Sequence, residues 1–134
     1  MCAQDVLDTW ECLPPDTLVI PIPSERRKFR TRGFNPAGIL AVALARALRL
    51  RIMSRTLTVK RPMIESRSLN STSRKRRVRG AFGVMDTTLN GRVILLVDDV
   101  MTTGATAREA ARTCVKAGAR EVHLAVLAVV PRDG

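Results

Sequence analysis

The sequence contains few of the residues on which several classes of protein depend. It has one His and three Cys, and because no two of the cysteines form a C-x-x-C pair, a structural zinc cluster is not expected. No apolar run reaches the length of a transmembrane helix, so membrane insertion is not expected either. The first twelve residues carry acids instead of the basic and apolar segments of a signal peptide. These absences predict a cytoplasmic protein without disulfides.

The chain has enough apolar residues for a packed core. It is 134 residues long and 46% hydrophobic, which is the size and composition of one globular domain. We therefore expect a single domain over 1–134, in which 1–17 form an amino-terminal lead-in.

Positive charge is concentrated in one part of the chain. The net charge is +11, and residues 24–80 hold 17 of the Lys and Arg residues but only two acids, Glu25 and Glu65. Such an asymmetry favours an anionic partner, namely nucleic acid, a membrane surface or a small polyphosphate. A solvated basic face without a specific ligand is the alternative that charge alone leaves open.

The amino-terminal half predicts a strand followed by a helix. Leu18–Pro23 is an apolar run whose prolines fit an edge position or a strand end. Asn35 and Pro36 are suited to the N-cap and first turn of a helix, which we expect to run to about Leu50. Residues 52–60 alternate loosely, as in a strand. The helical periodicity predicts a core-facing stripe made of Ile39, Leu40, Ala43, Leu44, Ala47 and Leu48.

The second half predicts alternating strands and helices. Residues 61–77 are polar and basic, which is typical of a flexible loop, and Val78–Met85 forms a short strand. Val93–Val97 is a continuous β-branched and Leu run of the kind buried in parallel sheets. A helix over Thr106–Ala117 and a strand over Val122–Val130 follow. This order predicts an α/β fold with a parallel sheet.

The segment after the clearest strand carries the residues suited to chemistry. The string VILLVDDVMTTGAT (93–106) places two carboxylates at a strand end and small, hydroxylated residues at the start of a helix. Helix amino termini favour phosphate, and ligands of open α/β sheets bind at the carboxyl ends of strands. Asp98 and Asp99 suit vicinal sugar hydroxyls, so the sequence predicts a pentose 5-phosphate site. The residues predicted to receive the phosphate are Thr102, Thr103, Gly104, Ala105 and Thr106.

Two other readings of the acidic pair fit the sequence less well. A P-loop NTPase would need a G-x-x-x-x-G-K-[ST] string, which does not occur. A response-regulator receiver would need a phosphoacceptor Asp on a later strand, and after Asp99 the next Asp is Asp133, at the end of the sequence.

The segment 93–106 resembles the phosphoribosyl-pyrophosphate (PRPP) motif of type I phosphoribosyltransferases. Two further strings resemble the ComF-like branch of that family. They are Ile20–Pro23 followed by Arg30–Asn35 (RTRGFN), and 76–82 (RRVRGAF). Pro36 and Arg77 depart from the usual Gln and Asn of these signatures, and the amino-terminal zinc ribbon of longer ComF relatives has no counterpart here.

The resemblance implies a fold, a site and a set of partners. The fold is a central, mainly parallel β-sheet flanked by helices. Asp98 and Asp99 are the catalytic pair that holds the ribose hydroxyls, and Mg²⁺ is the cofactor, held mainly by PRPP and water without direct protein ligands. The pyrophosphate-loop candidates are Arg26, Arg30, Arg32 and Gly33. The flexible-loop candidates are Arg61, Arg67, Arg74 and Lys75.

Two functional hypotheses follow. The first is a Mg²⁺-dependent phosphoribosyltransferase that acts on PRPP and an unidentified nitrogenous acceptor, as a possible homodimer. The second is a non-catalytic module of the ComF type that binds PRPP, a nucleotide or single-stranded DNA during DNA uptake. Few stacking aromatics disfavour single-stranded DNA, although Phe29 and Phe34 lie in the basic loop. Cys114 and His123 are predicted to be structural residues.

Overall fold

The computed structural model describes residues 13–23, 35–60, 79–85, 88–101 and 104–130. Within these ranges it contains six strands and two helices. In chain order the elements are β1 (Leu18–Pro21), α1 (Pro36–Leu48), β2 (Arg51–Ile52), β3 (Leu57–Val59), β4 (Phe82–Val84), β5 (Val93–Met101), α2 (Ala105–Lys116) and β6 (Glu121–Val129).

Four of the strands form a parallel sheet in the order β2-β1-β5-β6. The register aligns Arg51 with Leu18, Leu18 with Ile94, and Ile94 with Val122. β3 and β4 form a separate antiparallel pair, in which Leu57 lies opposite Val84. The predicted α/β class with a mainly parallel central sheet flanked by helices is therefore confirmed.

The sheet buries side chains on both faces. One face packs against α2 and the β3–β4 pair, through Ile20, Ile94 and Leu96 of the sheet and Ala110 of the helix. The other face packs against α1. Because β1 and β5 lie inside the sheet with both faces covered, the continuous apolar run 93–97 is 0–1% exposed.

The predicted core stripe of α1 is wrong in part. Ile39 is 60% exposed, and Ala43 and Ala47 are exposed as well. The residues that face the sheet are Ala37, Ala41 and Ala45. Leu40, Leu44 and Leu48 are partly buried beside them. Small side chains bring the helix axis close to the sheet, so the alanines occupy the contact line and the leucines fill its flank.

Other boundaries also differ from those predicted. β1 is an interior strand, and its prolines are accommodated because Pro21 is its last residue. The stretch 52–60 contains parts of two short strands separated by a turn. β5 continues through the two acids to Met101, because pairing with β6 extends to Val129. The Asn35 cap is confirmed, since Ala37 N–H donates to Asn35 Oδ1 at 3.2 Å.

Neither helix in the described ranges combines the length and the apolar character needed to cross a bilayer.

Candidate functional site

Three neighbouring parallel strands bring their carboxyl ends to one edge of the sheet, which we call the carboxyl edge. After β1 the chain stays in register with β5, because Ile22 N–H donates to Val97 O at 2.8 Å. After β6, Val130 N–H donates to Met101 O at 2.9 Å. The end of β1 therefore lies beside the strand that carries the acidic pair, and the pyrophosphate loop predicted over 24–33 lies outside the described residues.

The acidic pair lies in the second half of β5. Asp98 and Asp99 are both half-buried, and Asp99 N–H donates to Asp98 Oδ1 at 2.9 Å. They lie between the apolar residues Val97 and Val100; pairing of β5 with β1 ends at Val97, and pairing with β6 continues to Met101. Two carboxylates are thus held on an interior strand of the sheet, at the edge where ligands of α/β proteins bind.

The helix α2 begins at a glycine and has no acidic residue in its first turn. Gly104 occupies the N-cap position with φ 80°, makes no side-chain cap, and the first turn contains no acidic residue. The left-handed conformation at Gly104 favours glycine. Because the first amides of a helix carry partial positive charge, this end is suited to an anion.

Arg108 adds a cation at the same place. Its backbone N–H donates to Gly104 O at 2.9 Å, and its Nη2 atom lies 3.8 Å from the position that a Cβ on Gly104 would take. A guanidinium beside a helix amino terminus is electrostatically unfavourable unless an anion lies between them. Sequence reasoning missed Arg108, although its i+4 spacing from Gly104 predicts this contact.

An open cleft of about 360 Å³ borders this turn on the α2 face of the sheet. Apolar side chains form most of its wall, and Arg108 and His123 supply polar atoms. The lining residues are Leu96, Met101, Gly104, Ala107, Arg108, Ala111, Val122, His123 and Leu124.

The structure brings together five of the predicted site residues and leaves the others untested. Asp98, Asp99, Gly104, Ala105 and Thr106 lie at the end of β5 and the start of α2. Ala105 is buried and Thr106 is half-buried. The remaining predicted residues lie outside the described ranges; they are Thr102, Thr103, Arg26, Arg30, Arg32, Gly33, Arg61, Arg67, Arg74 and Lys75.

The described ranges contain no group of three or more His, Cys, Asp or Glu side chains arranged to hold a metal ion. Cys114 is completely buried in the core, and burial raises the pKa of its thiol to about 11. This agrees with the structural role predicted for it. His123 lies in β6 with its Nε2 atom 3.3 Å from Glu121 Oε2.

Comparison with known proteins agrees with this geometry. The family model described as phosphoribosyl transferase domain matches residues 26–134. A solved structure of glutamine PRPP amidotransferase from Bacillus subtilis, complexed with ADP and GMP, superposes with a TM-score of 0.55 over 86% of this chain and 23% of that one, at 20% identity. That likeness supports the fold.

Two relatives place the chain within the family. The DNA utilization protein YhgH of Escherichia coli O6:H1 is 34% identical over 79% of this chain. Competence protein F of Haemophilus influenzae is 28% identical over 92% of it. The chain belongs to the type I phosphoribosyltransferase family, in its ComF-like branch. It spans about half the length of these relatives, 46% of the first and 55% of the second.

Proposed function

We propose that the chain binds PRPP at the carboxyl edge and transfers its phosphoribosyl group to a nitrogenous acceptor, with release of pyrophosphate. One observation carries this proposal: residues suited to the sugar and residues suited to the phosphate follow one another in the chain, at the end of β5 and the start of α2. Asp98 and Asp99 lie near the end of the central strand, and the start of α2 follows with Arg108 over Gly104. Carboxylates suit the ribose hydroxyls, and helix amides with a guanidinium suit the 5-phosphate.

The proposed reaction needs no covalent bond between the protein and the substrate. As pyrophosphate leaves C1 of the ribose, positive charge develops on the sugar and negative charge on the leaving group. Asp98 and Asp99 would hold the hydroxyls and stabilise the sugar, while basic side chains would receive the pyrophosphate. The candidates for that second role, in 24–33 and 61–77, stay predictions.

Mg²⁺ fits this arrangement as a partner of the substrate. Two half-buried carboxylates at the strand end are oxygen donors of the kind that Mg²⁺ prefers. Since Mg²⁺ usually keeps several waters and binds substrate phosphates, Asp98 and Asp99 would reach the ion through its waters. Bound Mg²⁺ would neutralise the pyrophosphate.

The test is isothermal titration of the chain with PRPP and Mg²⁺. Replacing both acids, Asp98→Asn with Asp99→Asn, is expected to weaken binding more than about tenfold, because two charge-assisted contacts to the sugar are lost. The matched control is Asp16→Asn with Glu121→Gln, which changes the net charge equally at the opposite edge of the sheet. No binding by the unaltered chain, or equal loss in both variants, would refute the site.

Binding and turnover are separated by a second measurement. Pyrophosphate release is followed with PRPP, Mg²⁺ and a panel of purine and pyrimidine bases. Release with one acceptor class would identify the enzyme. PRPP binding without release across the panel would favour the non-catalytic module.

A different observation favours nucleic acid as a second partner. The opposite edge of the sheet, which we call the amino edge, collects basic residues from both helix ends and from three strand starts. They are Arg46, Arg49, Arg51, Arg92, Lys116 and Arg120. Asp16 and Glu121 are the described acids at this edge. Arg92 Nη1 donates to the backbone oxygen of Asp16 at 3.3 Å, and Arg120 N–H donates to Arg92 O at 2.8 Å.

We infer that the amino edge would bind the phosphate backbone without reading bases. In the described ranges the one aromatic residue, Phe82, is 4% exposed, so stacking on bases has no support there. The names of the relatives, DNA utilization protein and competence protein, agree with a nucleic-acid role. Binding of this kind depends steeply on salt.

Fluorescence anisotropy with single-stranded and duplex oligonucleotides tests the amino edge. Arg51→Glu with Arg120→Glu is expected to weaken binding by about tenfold or more at low salt, because two phosphate contacts become repulsive. Arg55→Glu with Lys60→Glu is the control of equal charge change away from this edge. Equal loss in both variants would show that only net charge matters, and a flat salt dependence would refute the interface.

A further inference from the structure

Glu109 is a buried carboxylate that the proposed reaction does not use. It lies in the second turn of α2 and is 7% exposed. Its Oε1 atom accepts hydrogen bonds from Gly80 N–H and from Arg112 Nη2, both at 2.9 Å. Its Oε2 atom accepts from Arg112 Nε at 3.1 Å. Three donors therefore satisfy one carboxylate, and one of them belongs to a distant part of the chain.

The carboxylate is ionised at neutral pH. The hydrogen bond from Arg112 lowers the pKa of Glu109 despite its burial, with smaller contributions from the Gly80 N–H and from the charges of Arg112 and Arg79. An ionised acceptor makes stronger hydrogen bonds than a neutral one. The contact with Gly80 is thus a charge-assisted tie between α2 and the turn that precedes β4.

The tie fixes a turn whose backbone is unusual. Gly80 has φ 72° and is the second residue of the turn Arg79–Gly80, after which the chain enters β4. On the other side of the antiparallel pair, Lys60 N–H donates to Ala81 O at 2.6 Å. The hydrogen bond from Gly80 N–H to Glu109 therefore positions the β3–β4 pair against α2. Glu109 lies one helical turn beyond Gly104.

The charges around this tie match an anion at the start of α2. Alone, the charge of Glu109 would repel a phosphate at Gly104. Arg112 compensates it on the same helix, and Arg79 lies close enough to lower the pKa of Glu109. With Arg108 beside Gly104, two guanidinium groups of α2, those of Arg108 and Arg112, accompany the carboxylate of Glu109 on this helix.

We propose that Glu109 is a positioning residue, which fixes the Arg79–Gly80 turn against α2 and so keeps Arg79 beside the helix that receives the 5-phosphate. This inference rests on the proposed function, because it names a residue that supports the same site from outside it. Glu109 touches no substrate. It acts through Gly80 and through Arg112, whose guanidinium it holds.

The experiment compares Glu109→Ala with Glu109→Gln, which keeps an oxygen acceptor for Gly80 N–H. A control, Val115→Gly, weakens the same helix at an exposed position without touching the tie. Three quantities are measured: PRPP affinity with Mg²⁺, amide exchange of Gly80 by NMR, and Tm. For Glu109→Ala we expect about tenfold weaker PRPP binding and about tenfold faster exchange of the Gly80 amide. Glu109→Gln should restore most of both.

The outcomes separate positioning from general stability. Val115→Gly should lower Tm while leaving PRPP affinity within about twofold of the unaltered chain. If Glu109→Ala lowers Tm but leaves PRPP affinity unchanged, Glu109 is structural only and the proposal is wrong. Unchanged Gly80 exchange in Glu109→Ala overturns the tie even if PRPP binds. Absence of PRPP binding by the unaltered chain refutes the proposed function instead, while the exchange measurement still tests the tie.

Discussion

The two edges of the parallel sheet are built from the same strands and carry opposite kinds of residue. The carboxyl edge includes two acids, a left-handed glycine and the start of α2. At the amino edge, five of the six basic side chains are exposed. The difference follows from parallel topology, because every strand start lies at one edge and every strand end at the other. One edge suits a small phosphorylated sugar, and the other suits an extended polyanion.

The two glycines at the ends of α2 test the difference between the edges, and the largest loss of stability is expected at Gly118. Gly118 lies at the amino edge with φ 105°, and a Cβ there would lie 2.7 Å from Asn90 Oδ1 and 3.2 Å from Asn90 Cα. Gly118→Ala should therefore cost about 2 kcal/mol of unfolding free energy, from the left-handed backbone and the close contact together. Chemical denaturation measures this cost.

At the carboxyl edge, Gly104→Ala should affect PRPP binding more than stability. A Cβ there would meet Met101 Sδ at 3.6 Å, an ordinary contact, so Gly104→Ala should cost only about 1 kcal/mol from its φ of 80°. Its PRPP affinity should nevertheless fall more than about tenfold, because the methyl group lies where phosphate approaches the amides. Unchanged affinity for PRPP in Gly104→Ala would contradict the site at this edge. At the amino edge, combining Asn90→Ala with Gly118→Ala should recover part of the unfolding free energy that Gly118→Ala alone loses.

A smaller loss of stability is expected at acid pH. Because the pKa of Glu109 is lowered in the folded state, its contribution to stability is complete above the unfolded value near 4.5 and is lost as pH falls through the folded pKa. We expect a loss of about 1 kcal/mol, several degrees in Tm, from this group. Measuring Tm from neutral to acid pH in the unaltered chain and in Glu109→Gln isolates it. Parallel Tm curves for the two proteins would argue against an ionised Glu109.

Several elements could be predicted because their signal is local. The run 93–97 identifies an interior strand by its β-branched and Leu content alone, and Asn35 followed by Pro36 marks a helix start through its own backbone chemistry. Asp98, Asp99 and Gly104 were found together because they lie within seven residues of one another on a strand and the turn after it. Local spacing in the chain is here the same as proximity in space.

The wrong and missed predictions concern residues whose surroundings are set by tertiary packing. Ile39 was assigned to the core because helical periodicity ranks residues by hydrophobicity, whereas the sheet selects the smallest side chains, Ala37, Ala41 and Ala45, for its closest contact. Arg108 and Glu109 were missed for a related reason. Charged residues on an amphipathic helix normally face solvent, and nothing in the order of residues indicates that Gly80, 29 positions earlier, supplies a donor to Glu109.

The sequence by itself determined the α/β class, the central strand and the acid pair with its glycine, because each depends on residues that are neighbours in the chain. Only the tertiary structure decided which groups converge from separate segments. Parallel pairing gathers Arg51, Arg92 and Arg120 at one edge, and the packing of β4 on α2 brings Gly80 to Glu109. Such contacts depend on strand order and on the distance between layers, which side-chain order along the chain does not specify.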